Sequence, residues 1–396
     1  MSLNKVIIVP DSFKGALTAK AAAEIIASAV GEAFPECEIV KMPIADGGEG
    51  SVDAVLSAVG GSFFNATVQS PDEREIEAHF GITGNGVAVL EMAQSSGITR
   101  QNGLHPMTSN TYGFGQLILA ALDCRTDGVC GKRKSAEPAI KEFMLCIGGS
   151  ATTDGGCGMA AALGVRFTDK QGNDFVPCGE TLCDIVGIDV SGLDERVSEC
   201  SFTVMCDVDN LLFGESGAAF VYAPQKGANP EQVRILDNGL RHYGAVLEQH
   251  FGRSFSNIPG AGAAGGLGAG CMAFLGAKLR SGIDALLDLY NFKAQCKDAD
   301  LIITGEGKLD SQSFQGKVLS GILREAGTVP VWSICGVCDC DEGFLQTKGV
   351  KVFQASEGVT KEDSMREPEK FLKIAAKRAM EAVETKLSKI KENHHD

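Results

Sequence analysis

Five apolar runs in this chain each end in a loop of glycine mixed with acidic and amide residues. VIIVP leads into Asp11-Ser12-Phe13-Lys14-Gly15, EIVKMPIA into Asp46-Gly47-Gly48-Glu49-Gly50, and FMLCI into Gly148-Gly149-Ser150-Ala151-Thr152-Thr153-Asp154-Gly155-Gly156. FTVMC runs into Asp207-Val208-Asp209-Asn210, and LIIT into Gly305-Glu306-Gly307-Lys308-Leu309-Asp310. Buried strands that end this way predict open α/β sheets. Such sheets bind ligands at the carboxyl ends of their strands, where backbone amides and strand-end carboxylates converge. Most of the excess among the 49 glycines sits in these loops, after strands and before helical patterns. Tight turns and close approach to a ligand explain that placement better than flexible linkers do. The pattern points to an enzyme with an anionic or phosphorylated ligand.

At 396 residues the chain exceeds what one hydrophobic core usually covers, so two domains are expected. The formal net charge of −15 argues against nucleic acid or an anionic membrane as partner. An anionic substrate would be held locally, by a few lysines and amides. No apolar run approaches the roughly 20 residues that span a bilayer, and the amino terminus lacks a signal-peptide core, so a cytoplasmic location is expected. The 14 cysteines are scattered, and Cys146, Cys206 and Cys335 lie inside apolar runs as small buried hydrophobes. Cys335, Cys338 and Cys340 have a spacing that could hold a metal, but no second Cys pair or His accompanies them, and no metal is expected there. The six histidines form no ligand spacing.

Along the chain, Lys5 to Pro10 is a buried-strand pattern. A helical period from Thr18, as N-cap, to about Phe34 follows, then a strand near Glu38 to Met42 and a helix that starts inside the Asp46-to-Gly50 loop. After Gly60-Gly61 the style changes to meandering strands in SFFNATVQS, EIEAHFGIT and GVAVLEMA. A helix is expected from about Asn110 to Leu122, an exposed insertion from Cys124 to Ala139, a helix from about Asp154 to Leu163 and a hairpin over VRFTDKQGNDFVP. Strands are expected at Phe202 to Cys206 and Ala218 to Tyr222, ahead of a long amphipathic helix from about Pro230 to His250. Late in the chain LIIT, VPVWSIC and KVFQAS read as strands, alternating with helices from about Gly316 to Ala326 and Pro368 to Lys391. The simplest arrangement is one doubly wound α/β domain built from both ends of the chain, residues 1–68 and 285–396, with a mixed α/β domain over 69–284 inserted in it.

Gly260-Ala261-Gly262-Ala263-Ala264-Gly265 matches the dinucleotide fingerprint, which would make the protein a dehydrogenase of a small hydroxy acid. The fingerprint needs a buried strand directly before it, and Phe255-Ser256-Asn257-Ile258-Pro259 is a poor one. A glycine-rich helix start that packs tightly or approaches a phosphate fits better. No P-loop or protein-kinase motif set occurs. Lys14, Lys226 and Lys317 each sit beside a glycine, where a lysine serves as a point charge on phosphate or carboxylate. Asp46, Asp154, Asp207, Asp209 and Asn210 are balanced between capping and turn duties on one side and ligand or metal contact on the other.

Seven segments, in order from about residue 5 to 360, resemble the bacterial glycerate kinases of the first family. They are Pro10 to Gly15, Ala45 to Gly50, Gly148 to Thr152 with Asp154 to Gly156, Cys206 to Asn210, Pro224-Gln225-Lys226-Gly227-Ala228, Gly262-Ala263-Ala264-Gly265-Gly266, and Gly305 to Gly307 with Asp310, Gln312, Gly316 and Lys317. The resemblance implies transfer of the γ-phosphoryl group of ATP to D-glycerate, giving 2-phosphoglycerate, with 3-phosphoglycerate as the alternative product. It also implies a discontinuous flavodoxin-like domain, an inserted domain and an active site in the cleft between them. Implied partners are ATP, D-glycerate and, as an open option, a second copy of the chain in a homo-oligomer. Departures from the family pattern are Thr153, where Asn is common, Ser313, where Thr is common, and the longer stretch Cys124 to Pro138.

Phosphoryl transfer asks for positioning and electrostatics. Catalytic roles are therefore expected of Lys14, Asp46, Asp154, Asp207 and Lys317, the base being Asp46, Asp154 or Asp207. Substrate and ATP contacts are expected from Asp11, Ser12, Gly47, Gly48, Glu49, Gly148, Gly149, Ser150, Thr152, Gly155, Gly156, Asn210, Lys226, Gly262, Gly265, Gly266, Gly305 and Asp310. Mg²⁺ is expected on Asp207, Asp209 and Glu306.

Overall fold

A computed structural model of the chain describes residues 3–124, 139–315 and 318–392. In chain order the strands are β1 (Lys5–Ile8), β2 (Glu38–Lys41), β3 (Gly61–Gln69), β4 (Glu75–Thr83), β5 (Val87–Glu91), β6 (Glu142–Cys146) and β7 (Arg166–Thr168). They continue with β8 (Asp174–Phe175), β9 (Gly187–Asp189), β10 (Ser201–Met205), β11 (Lys278–Arg280), β12 (Leu301–Leu309), β13 (Val331–Cys338) and β14 (Val350–Gln354). The chain divides into two compact units. One comprises Met1–Asp46, Ser57–Val59 and Ile283–Asp396, the other Gly47–Leu56 and Gly60–Gly282.

The first unit is built on a parallel sheet in the order β14-β13-β12-β1-β2. Every residue of β1 is buried, as a central strand covered on both faces requires. Helices Ala19–Ala33 and Pro368–Glu392 pack Ala22, Ile26 and Val30 with Leu372, Ala376 and Met380 against Val6, Ile8 and Ile303. Thr18 starts the first of these helices by accepting the Ala21 amide at 3.1 Å, a cap worth about 1 kcal/mol. The strand order reverses at β1, because β2 lies on one side of it and β12 on the other. In open α/β sheets the crevice for ligand opens where the order reverses.

The second unit holds a six-stranded sheet, β11-β10-β6-β5-β4-β3, parallel from β11 to β5 and antiparallel beyond it. The antiparallel β8-β7-β9 forms a small separate sheet. Phe80, Phe114, Leu117, Phe143 and Phe202 sit in one core cluster. Phe167, Leu236, Leu240, Tyr243 and Phe255 sit in another, under helix Pro230–Phe251. One expected strand is absent: Ala218–Tyr222 is a short helix. The helix expected from Asp154 starts three residues later, at Cys157. Residues 125–138 of the expected insertion lie outside the described residues. Among the described residues no helix is long and apolar enough to cross a membrane.

Candidate active site

In the first unit, the carboxyl ends of β1, β12 and β13 surround a cavity of about 430 Å³. Asp11, Ser12, Lys14, Glu306, Lys308 and Asp310 make its polar wall. Phe13, Leu17, Val337, Met365, Pro368 and Leu372 make an apolar one. Asp11 begins the loop after β1, its amide donating to the Gly305 carbonyl at 2.8 Å. Its carboxylate accepts the Ser12 amide at 2.6 Å. Burial pushes the Asp11 carboxyl up from its ordinary value; the Ser12 amide opposes the shift, the Asp46 charge adds to it and Lys14 opposes it. Lys14 and Asp46 are both exposed. Gly305 is needed where it stands, since a Cβ would lie 2.5 Å from the Ile334 carbonyl oxygen.

Glu306 accepts the hydroxyl of buried Ser313 at 2.9 Å. Asp310 caps the turn Ser311–Phe314, accepting the Gln312 amide at 2.9 Å while its own amide donates to the Ser313 hydroxyl. Lys317 and Gly316 lie outside the described residues.

The second unit gathers the other loops. Gly47 and Gly48 meet Gly148: its amide donates to the Gly47 carbonyl at 2.9 Å, and a Cβ on Gly148 would stand 2.9 Å from the Gly48 Cα. Glu49 is exposed. Helix Ser51–Val59 follows, and because Gly50 offers no capping side chain, Glu91 serves from the end of β5. Its buried carboxylate accepts the Val52 amide at 2.6 Å. A carboxylate there also complements the positive end of the helix.

The Gly148-to-Gly156 loop leaves β6. Gly149 is exposed, while Ser150, Thr152, Thr153 and Asp154 are buried. Asp154 accepts the Thr111 amide and hydroxyl, both at 2.7 Å, the Gly158 amide at 3.0 Å and the Gly156 amide at 3.2 Å. Burial raises its carboxyl, and these donors oppose the shift. Gly155 leaves room for Tyr243, whose hydroxyl donates to the Gly155 carbonyl at 3.1 Å. Gly265 approaches the same loop, its carbonyl accepting the Gly155 amide at 3.1 Å. Lys226 is buried and donates to the Ser150 hydroxyl at 3.1 Å and the Thr152 carbonyl at 2.5 Å.

Asp207 and Asp209 are exposed after β10, and Asp207 accepts the Gly282 amide at 2.7 Å. Asn210 is a brace: it accepts the Tyr222 hydroxyl at 2.6 Å and donates to the Ser216 carbonyl at 2.7 Å. Its carbonyl accepts the Gly262 amide at 2.9 Å, and Gly266 is buried just beyond. Residues 255–259 before the glycine fingerprint are not a strand, so the dinucleotide match lacks the strand–turn–helix context that would give it meaning.

Three residues were given no site role from the sequence. Thr111 and Glu91 lie far along the chain from the loops they anchor, and Ser313 entered only as a departure from the family pattern. No local spacing marks Thr111 or Glu91.

A model of the glycerate kinase family matches residues 6–384. The chain belongs to the glycerate kinase family. It is 42% identical to a glycerate kinase of Halalkalibacterium halodurans over 339 residues, 84% of this chain and 86% of that one. It is 40% identical to the glycerate 2-kinase of Escherichia coli over 351 residues, 87% of this chain and 88% of that one. A solved structure provisionally named glycerate kinase 2, from Salmonella typhimurium LT2, matches with a TM-score of 0.82 at 36% identity, covering 98% of this chain and all of that one. The protein is thus a kinase, a phosphotransferase.

Of the expected Mg²⁺ ligands, Asp207 and Asp209 lie in the second unit and Glu306 in the first. Among the described residues, no three metal-capable side chains come together to hold an ion. That donor set fits an ion which keeps its waters and arrives on nucleotide phosphates, needing only one or two carboxylates of the protein.

Proposed function

We propose that this chain transfers the γ-phosphoryl group of ATP to D-glycerate, giving 2-phosphoglycerate and ADP. The observation that carries this reading is the 40% identity to a glycerate 2-kinase across 87% of the chain. The first unit's strand order, 2-1-3-4-5 in its own numbering, supports a flavodoxin-like reading of that unit.

The nucleoside of ATP suits the cavity of the first unit, whose apolar wall offers a base Phe13, Val337 and Met365 and whose volume far exceeds a three-carbon acid. Lys14 at its mouth would neutralise phosphate, assisted by Lys317. In the second unit, the Gly148-to-Thr152 turn and the Gly47-Gly48 segment offer amides to an anion. Asp154, with both oxygens occupied by donors, acts as a brace of that turn. This leaves Asp46 and Asp207 as candidates to take the hydroxyl proton of glycerate. Asp207, Asp209 or Glu306 would complete the coordination of Mg²⁺, which when bound screens the phosphate charge.

The test is phosphorus NMR of the purified protein with Mg-ATP and D-glycerate. A 2-phosphoglycerate resonance rising with ADP is expected. A 3-phosphoglycerate resonance would move the product to the other hydroxyl, and an unchanged ATP spectrum from folded protein would sink D-glycerate as substrate.

A further inference from the structure

Lys226 ends the short turn Pro224–Lys226, and Gly227 turns the chain away behind it with φ of 96°. Its side chain is driven inward and is 2% exposed. An ammonium has three N–H donors; two are placed, on the Ser150 hydroxyl and the Thr152 carbonyl. Among the described residues it makes no ion pair. A buried ammonium without a counter-charge is costly, and an apolar side chain in its place would be cheaper.

The surrounding groups supply that counter-charge only in part and not through an ion pair. Asp154 is the carboxylate whose field reaches Lys226, and its oxygens are already taken by Thr111, Gly156 and Gly158. Tyr243 and Cys157, packed on the same loop, are kept neutral by burial. The Ser150 oxygen accepts from Lys226 and from the Thr152 amide, at 3.1 and 3.2 Å, and its own proton goes to the Thr152 carbonyl at 3.3 Å. An unspent group lies in this loop, the buried hydroxyl of Thr153, which has no partner among the described residues. The loop reaches solvent at Gly149.

We propose that Lys226 is the buried cation for which an anionic ligand oxygen is the missing counter-charge, a positioning residue acting through the Ser150–Thr152 turn. The anion is a phosphate oxygen of the nucleotide or the carboxylate of the acid. This rests on the kinase reading for the identity of the two ligands. Burial depresses the Lys226 ammonium to about 7, with Asp154 opposing the shift. An anion beside the turn favours the charged form again. Binding of the anion therefore draws a proton from solvent onto Nζ whenever the pH exceeds that value.

Titration calorimetry at pH 7.5, in buffers of different ionisation enthalpy, tests this with ATP alone and D-glycerate alone. The wild-type protein is expected to take up roughly 0.5 to 0.8 proton more than Lys226→Met or Lys226→Gln, and both variants to bind that ligand at least about tenfold more weakly. The arm that shows the difference identifies phosphate or carboxylate. Equal proton uptake in all three proteins, or affinity kept in Lys226→Gln, would overturn the proposal. Should the variants not fold, the wild type suffices: its affinity should weaken as pH rises from 7 to 9, and a flat profile refutes the idea. Proton-linked binding of ATP in a protein that leaves D-glycerate unphosphorylated would reject the substrate and keep the lysine.

Discussion

Gly265 carries φ of +70°, and a Cβ there would stand 2.0 Å from the Thr152 carbonyl oxygen. Both facts press on the same contact, because a side chain would strain its own backbone and push the Gly148-to-Gly156 loop away. Gly265→Ala is therefore expected to lower stability by about 2 to 4 kcal/mol and to weaken turnover through the displaced loop; a urea melt within about 0.5 kcal/mol of wild type would refute it. From the sequence, the glycines at 262–266 could equally have cradled phosphate or allowed tight packing, and the geometry favours packing at 265. Asp154 teaches the same lesson. A strand-end aspartate reads alike whether it faces ligand or a buried nest of amides, and only the arrival of Thr111 from 43 positions away separates the two. Residue type and position were legible; the partner that decides the role was not, since it comes from tertiary packing.

Helix Pro230–Phe251 was readable at both ends, because its signals are local. Asn229 accepts the Glu231 and Gln232 amides at 3.0 and 2.9 Å, and Gln232 returns a bond to the Asn229 amide. Gly252 ends the helix with φ of +69°, the usual left-handed stop. The helix carries Tyr243 against Gly155. Asn229→Ala should thus cost about 1 kcal/mol, lowering the melting temperature with kcat almost unchanged. A loss of kcat greater than about threefold would show that the cap also tunes the loop. Ala218–Tyr222 misled for the opposite reason. Its apolar and β-branched run favours a strand, but Ala218 and Ala219 are buried while Phe220 and Val221 are exposed. Two adjacent residues face the core and the next two do not, which a strand alternating side chains at every position does not produce. Burial of one short face overrode propensity.

At the scale of the molecule, a protein of net charge −15 handles, on the proposed reading, two anions, ATP and glycerate. Overall charge predicts repulsion; among the described residues, Lys14 and Lys308 line the cavity of the first unit and Lys226 lies buried in the second. Lys308 is already committed to Asp339 at 2.7 Å. The candidate site also adds carboxylates of its own at Asp11, Glu306 and Asp310. Charge of this kind is balanced most simply by a divalent cation that enters with the nucleotide. Removing divalent ions with a chelator should therefore reduce phosphoryl transfer by at least about a thousandfold, and adding Mg²⁺ should restore it fully. The melting temperature of the protein without nucleotide should not move by more than about 1 °C if the ion arrives only with the nucleotide. A chelator-induced drop in that melting temperature would instead reveal a structural metal, and turnover that survives chelation would place the whole charge balance on the lysines.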